Sequence, residues 1–484
     1  MSKIFTTKNE PIRDYRPNSK QRKSVQLKYD ELSNKIFEIP LIIDGCEVKT
    51  KTKGHCIKPH DHKHVLATYH NATKKEANQA IKSSLKAWEK WSETPFEIRS
   101  NIFLKAAKLL KGPWRDTINA ATMLNQSKNI YQAEIDSACE LIDFFNFNVQ
   151  FADQIYSNQP LISPEGQKNY FEYRSLEGFI LAITPFNFTS IAGNLPAAPA
   201  LMGNVAIWKP ASSAVLPCYF IMQMLEEAGL PKGVINFLPG KGSEIGHTLL
   251  SNKNLAGVHF TGSTKTFQYI WKNIGENISN YKSYPRIVGE TGGKDFCLAH
   301  ESSNVDELIT AMVRGAFEFQ GQKCSAMSRA YIPKTIWKRV SKKYLEEVAS
   351  LKIGSPRNFS NFINAVIDKS AFDSIVSYIE YAKNSEDSKI ITGGTYNDSK
   401  GFFISPTTIL TTNPHFRTMK EEIFGPVLTI FLYDPKDWNK TIDLVNSTSP
   451  YALTGCIMGY DKNAINIAKD RLKHSAGNFY INDK

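Results

Sequence analysis

Apolar positions along the chain change rhythm twice. From about 74 to 153 they recur at helical spacing. In QAEIDSACELIDFF the residues Ile135, Ala138, Cys139, Ile142 and Phe145 fall on one helical face, a stripe expected to pack on a core. From 156 to 178, YSNQPLISPEGQKNYFEYRSLEG alternates around turn residues, which predicts a protruding hairpin. From Gly178 short apolar runs take over: FILAIT (179–184), NVAIWK (204–209), GVINFL (233–238) and AGVHF (256–260). Helix-like stretches such as VLPCYFIMQMLEEAGL separate them. Apolar strands alternating with helices predict βαβ units, and therefore an α/β fold with a parallel sheet. A second stretch of this kind runs from 286 to 484, whereas the segment before about 63 is polar and broken up.

Ligands of an open parallel sheet sit beyond the carboxyl ends of its strands, so the residues after each run are the candidates. FTGSTKT (260–266) follows a strand and opens a helix. Its backbone N–H groups, with Gly262 and Ser263, suit a pyrophosphate; a plain Ser263 or Thr264 helix cap suits the same residues. Lys209 ends an apolar strand and reaches either a cofactor ribose or phosphate, or open solvent. In VGETGGK (288–294), Glu290 stands beside Gly292 and Gly293. Partial burial there would raise its pKa into the range of a general base; the plainer reading is a turn residue. FQGQKCSAMSR (319–329) places Cys324 beside Gly321 and Lys323, a setting for a reactive thiolate. Cys139 and Cys218 lie on apolar helix faces and read as structural. Asn187, in PFNFT (185–189), offers a side-chain amide to an oxyanion. HCIKPHDHKH (55–64) carries four histidines and a cysteine, but the spacing matches no zinc pattern. With the VLATY that follows, it reads as a strand with alternating exposed histidines, and no metal is expected.

Composition narrows the classes. The 484 residues are 42% hydrophobic and 22% charged, a globular balance. No run approaches the roughly 18 apolar residues of a membrane helix. The net charge is +12, and half of it lies in the first 65 residues. There the basic residues are interspersed with Asp14, Asp30, Glu31 and Glu38, which reads as a solvated face rather than a nucleic-acid arm. Seven scattered cysteines form no disulfide framework and point to a reducing compartment. Residues 1–28 contain no apolar signal region.

The motifs PFNFT, WKP, FTGS, GETGGK, GQKCSA and EEIFGPV, in this order and at these spacings, resemble the aldehyde dehydrogenase superfamily. Longer matches (LEGFILAITPFNFT, APALMGNVAIWKP, GQKCSAMSRAYIP, MKEEIFGPV, AGNFYINDK) carry the resemblance from about 9 to 484. They place it near the branch that oxidises L-glutamate γ-semialdehyde to L-glutamate in proline breakdown. The resemblance implies a Rossmann-type NAD-binding domain at 1–288, with a bridging oligomerisation hairpin at 156–177, and an α/β catalytic domain at 289–484. It implies Cys324 as nucleophile, Glu290 as base, and Asn187 with the Cys324 backbone N–H as oxyanion hole. Thr184, Lys209, Gly262, Ser263, Thr264, Lys265 and Thr266 would line the NAD site, with Glu422 on the nicotinamide ribose and Phe424 beside it. Phe188 would flank the aldehyde, and Ser325 would help hold the substrate carboxylate. A homodimer and a mitochondrial matrix location are implied, with the cytoplasm as alternative; neither nucleic acid nor membrane insertion is.

Three departures qualify these expectations. After NFYINDK the family pattern continues into a substrate-gripping loop, an FGG segment and a subunit-pairing strand. The expectation is a catalytic domain incomplete at its C-terminus, with dimerisation and substrate anchoring put in question. An impaired, enzyme-like NAD-binding protein is the alternative. Neutral Ser212, three residues after Lys209, replaces an acid that many NAD-using relatives carry and leaves NADP open. Gln320 stands where close relatives tend to have glycine.

Overall fold

The computed structural model describes residues 6–484. They divide into two compact units. The first comprises the chain to Ile57, His64–Gln126 and Ile130–Glu290; the second comprises Lys58–Lys63, Ser127–Asn129 and Thr291–Lys484.

The first unit is built on a seven-stranded sheet. Its order is Arg286–Glu290, Leu255–Thr261, Phe179–Ile183, Val205–Lys209, Ile235–Phe237, Leu41–Ile43 and Cys46–Val48. The first five strands are mutually parallel; Leu41–Ile43 then joins antiparallel, and Cys46–Val48 pairs antiparallel to it. The central strands are apolar at nearly every position because both of their faces are covered. Register sets Ile183 level with Lys209 and Phe260, and Thr261 level with Glu290. The segments that follow these strands therefore share one end of the sheet.

Two local expectations need correction. The stripe in QAEIDSACELIDFF is interrupted: Glu134–Cys139 is a π-helical turn between Ile130–Ala133 and Glu140–Ser157. The widened i→i+5 turn rotates the face, so Ile135 is exposed while Glu134 is fully buried. Glu134 tolerates burial because Arg115 pairs with it, Tyr15 donates to it at 2.8 Å and Asn119 donates at 2.8 Å. The predicted hairpin, for its part, forms no paired strands. A turn closes from the Gln167 N–H to the Pro164 carbonyl at 3.0 Å. The Gln159 amide then bridges both backbone groups of Phe171, at 2.8 and 3.2 Å. Leu161 is wholly exposed and Ile162 nearly so. The alternation here has no buried face within the unit to specify a ladder.

The second unit holds another seven-stranded sheet. Its order is Ser388–Thr392, Thr407–Thr411, Val427–Tyr433, Met327–Pro333, Asp295–Ala299, Thr454–Met458 and Asn478–Ile481. All neighbours are parallel except the first pair. Its core includes Cys297, Met312, Phe317, Ile332, Leu428, Ile430 and Met458. Three adjacent central strands, Asp295–Ala299, Met327–Pro333 and Val427–Tyr433, each begin directly after one of the motif loops. GGK, QKCSA and EEIFGP are thus delivered to one end of one sheet. Among the described residues no helix is long and apolar enough to cross a membrane.

Candidate active site

In the first unit the candidates follow the strand ends. Thr184 is buried; its N–H donates to the Lys209 carbonyl at 3.1 Å and its Oγ1 accepts from Trp208 Nε1 at 3.0 Å. Asn187 is buried and Phe188 is the extended residue before the helix Thr189–Leu201. Lys209 is half-buried, and its Nζ donates to the Pro210 carbonyl at 3.2 Å. Burial with no compensating acid pushes its pKa down to about 8. Ser212 donates to the Gly240 carbonyl at 3.4 Å.

The FTGSTKT segment realises the plain reading: Ser263 caps the helix Thr264–Glu276, accepting from the Thr266 N–H at 3.3 Å. Gly262 donates to the Glu290 carbonyl at 3.2 Å, tying this turn to the neighbouring strand. Lys265 and Thr266 are exposed, whereas the Thr264 Oγ1 is buried with no hydrogen-bond partner among the described residues. Glu290 corrects an expectation. It is exposed, because its strand forms the edge of the sheet.

In the second unit the helix Val305–Phe317 is followed by three successive left-handed residues, Phe319 (φ 49°), Gln320 (φ 56°) and Gly321 (φ 65°). Left-handed backbone at two non-glycine residues is costly and persists only where the surroundings hold it. Here the Gln320 amide does so. Its Nε2 donates to the Ala365 carbonyl at 2.9 Å and the Ser127 carbonyl at 3.3 Å, and its Oε1 accepts from the Asn364 N–H at 3.0 Å. The Lys128 ammonium lies 4.4 Å over the Phe319 ring. Gln322 continues the brace, its Oε1 accepting from the Ile367 N–H at 2.9 Å. Lys323, read as a cation for the thiol, lies 3.5 Å from Glu318. Burial pushes Glu318 up, but Lys323, Lys484 and Arg314 outweigh it and hold the carboxyl below its usual range. Cys324 itself is half-buried and Ser325 exposed.

The three motif loops interlock through glycine. A Cβ on Gly321 would lie 2.1 Å from the Gly425 carbonyl oxygen, and one on Gly293 would lie 2.2 Å from that of Cys324. One on Gly292 would lie 2.0 Å from Glu422 Oε2. At Gly321 and Gly293 only a residue without a Cβ lets the two backbones approach, and at Gly292 the space is taken by the Glu422 side chain. The Gly293 N–H donates to Glu422 Oε1 at 2.9 Å. Burial raises the Glu422 pKa, while that N–H and Lys294 lower it. Phe424 takes a left-handed conformation at φ 57°.

Within the second unit, then, Cys324, Ser325, Glu422 and Phe424 sit on mutually packed loops; Asn187, Thr184, Lys209, Gly262, Ser263 and Glu290 belong to the first. Lys294 and the Gln320 clamp escaped notice in the sequence. GGK and the Gln320 departure were both visible, but neither reveals a buried ammonium or an amide bridge to residues 364 and 365.

The histidine tract is used structurally. His60 pairs through Nδ1 with Ser127 Oγ at 2.8 Å, and His62 through Nε2 with the Asp398 carbonyl at 2.7 Å. His64 meets the Ser33 carbonyl at 2.9 Å. His60 is buried rather than exposed, because it occupies the turn between two strands and not a strand face. Among the described residues no three His, Cys, Asp or Glu side chains are grouped to hold a metal.

Comparison with known proteins places these loops in context. The aldehyde dehydrogenase family profile matches residues 47–484. Delta-1-pyrroline-5-carboxylate dehydrogenase, mitochondrial, of Dictyostelium discoideum is 48% identical over 483 residues, covering 99% of this chain and 87% of its own. The Homo sapiens protein of that name is 42% identical, covering 98% and 84%. The crystal structure of the Mycobacterium tuberculosis delta-pyrroline-5-carboxylate dehydrogenase bound with NAD superposes at a TM-score of 0.97 with 46% identity, over 100% of this chain and 89% of that one. The chain belongs to the aldehyde dehydrogenase family.

Proposed function

We propose that this chain oxidises L-glutamate γ-semialdehyde, the open form of delta-1-pyrroline-5-carboxylate, to L-glutamate, with NAD as hydride acceptor. The observation that carries the reading is identity of 42–48% over nearly the whole chain to proteins named for that activity. The first unit holds the dinucleotide and the second carries the thiol.

The residues present fit a dinucleotide. The Ser263-capped helix begins at one end of the sheet, and the Thr264 Oγ1 in its first turn has no hydrogen-bond partner among the described residues. Lys209 brings an ammonium with no acid paired to it among the described residues. Glu422 brings a carboxylate suited to ribose hydroxyls. Neutral Ser212 repels no 2′-phosphate, so NADP is the second cofactor to test.

The chemistry follows from the residue types. The Cys324 thiolate adds to the aldehyde carbon, and the carbonyl oxygen becomes an oxyanion. Asn187 and the Cys324 N–H stabilise that charge. Bound NAD supplies the acceptor for the hydride that the tetrahedral adduct expels. The thioester left on Cys324 is then hydrolysed. Glu290 takes a proton from water as the water oxygen bonds to the thioester carbon; the C–S bond then breaks, releasing the carboxylic acid, and the proton held by Glu290 returns to the Cys324 thiolate. Phe188 flanks the aldehyde and Ser325 meets the substrate carboxylate.

Glu290→Gln is expected to leave a rapid first turnover of NADH and to slow later ones at least about tenfold, as thioester accumulates. Stopped-flow traces check it, and an unchanged steady-state rate removes Glu290 from the mechanism. The substrate assignment is tested by NADH formation with glutamate semialdehyde and with propanal, which lacks the carboxylate. A much higher kcat/KM for the first is expected; equal values, or no turnover by folded protein, overturn the reading. Several relatives are named mitochondrial, which supports a matrix location. The exposed 156–177 segment supports pairing of two copies.

A further inference from the structure

Lys294 stands out among the groups that the mechanism does not use. It is 1% exposed, and its Nζ has no hydrogen-bond partner among the described residues. A buried ammonium with no bonds is expensive unless nearby opposite charge repays it. That charge comes first from Glu422 and then from adjacent Asp295, whose own carboxyl burial pushes up to about 7, and from Glu421; Arg329, on the next strand, opposes it. Arg329 is itself held elsewhere, with Nε donating to the Lys294 carbonyl at 2.8 Å and a second nitrogen to the Val445 carbonyl at 3.1 Å. Asp295 spends Oδ1 on the Thr454 N–H at 2.8 Å.

Glu422 has an unusual seat. Its carboxylate occupies the space that a side chain on Gly292 would take, and one oxygen accepts from the Gly293 N–H. The next residue along that backbone is Lys294. One N–H is thin support for a half-buried carboxylate, since burial favours the neutral acid. A protonated Glu422 would keep its place but lose the charge with which a carboxylate accepts two sugar hydroxyls.

We propose that Lys294 is a positioning residue for cofactor binding: its buried ammonium keeps Glu422 a carboxylate anion on the Gly292–Gly293 backbone, ready to receive the nicotinamide ribose. This rests on the reading above that Glu422 meets the ribose. Two directions support it. Burial raises the Glu422 pKa and Lys294 opposes that rise; burial, and after it Arg329, lowers the Lys294 pKa to about 7, with Glu422 and Asp295 opposing. The charge of Lys294 is therefore present below neutrality, and falling pH is also the direction that protonates Glu422, whose burial favours the neutral acid.

The sign gives a specific test by NAD titration of the full chain, followed by protein fluorescence. Lys294→Met, which keeps the bulk and removes the charge, is expected to weaken NAD binding about tenfold near pH 6 and to match the parent near pH 8.5. Lys294→Arg is expected to restore binding at the lower pH. In a Glu422→Gln background, Lys294→Met is expected to change nothing further. A loss equal at both pH values, or additive with Glu422→Gln, makes Lys294 merely structural and overturns the proposal, as does unchanged binding at both. If Glu422→Gln alone leaves NAD binding intact, the ribose assignment itself fails, whatever Lys294 does.

Discussion

Cys324→Ala is expected to abolish aldehyde oxidation, by at least about 10⁴-fold, while NAD binding persists. The size follows from the chemistry. Without a covalent adduct the aldehyde carbon stays planar, and no tetrahedral oxyanion forms to expel hydride. No neighbouring thiol can take over. Cys297 and Cys456 face each other in register on adjacent strands, 0% and 3% exposed. The contact with Cys297 and burial hold the Cys456 thiol well above its ordinary range. Such thiols are inert. The check pairs NADH formation with an NAD titration on the same protein. Turnover within tenfold of the parent would strip Cys324 of the nucleophile's role.

The second large effect is expected at Gly321. Gly321→Ala should destabilise the second unit by about 3 kcal/mol or more and cut kcat at least tenfold. Left-handed backbone at φ 65° costs alanine roughly 1 kcal/mol. The larger part is steric: the new Cβ would stand 2.1 Å from the Gly425 carbonyl oxygen, a backbone atom that cannot swing aside. Relief requires the 421–426 turn to move, and Glu422 and Phe424 ride on that turn. One methyl group therefore disturbs both the Cys324 loop and the 421–426 turn. Gln320→Gly makes the contrast. It relieves the left-handed strain at 320 but orphans the Asn364 N–H and the Ala365 carbonyl, for a net loss of about 1–2 kcal/mol. Calorimetry and the labelling rate of Cys324 separate the two; a Gly321→Ala protein as stable as its parent would refute the steric argument.

The strands after Gly178, the α/β class and the identity of the motif loops were legible in the residues. They depend on short-range pattern: apolar runs long enough for a buried parallel strand, turn residues after them, and a cap such as Ser263 with its own N–H acceptor role. What the pattern could not carry was the environment of each group. Ile135 was placed on the core face by a period of 3.6, and a π-helical turn rotated it outward. Glu290 was expected to be partly buried, but its strand is the sheet's edge, and edge position is a property of strand order. The 156–177 segment alternates like a hairpin, yet without a neighbouring strand or core face it forms no backbone ladder and is held by side chains such as Gln159, Ser163 and Tyr173. Gln320 appeared as an unexplained departure, and only residues 364 and 365, more than forty positions away, show why its left-handed backbone is tolerated. Lys294 was one letter of a motif until burial left its ammonium without a hydrogen-bond partner among the described residues. Local periodicity decides which elements form; burial, charge pairing and close backbone approach are sums over residues distant in sequence, and only the folded chain evaluates them.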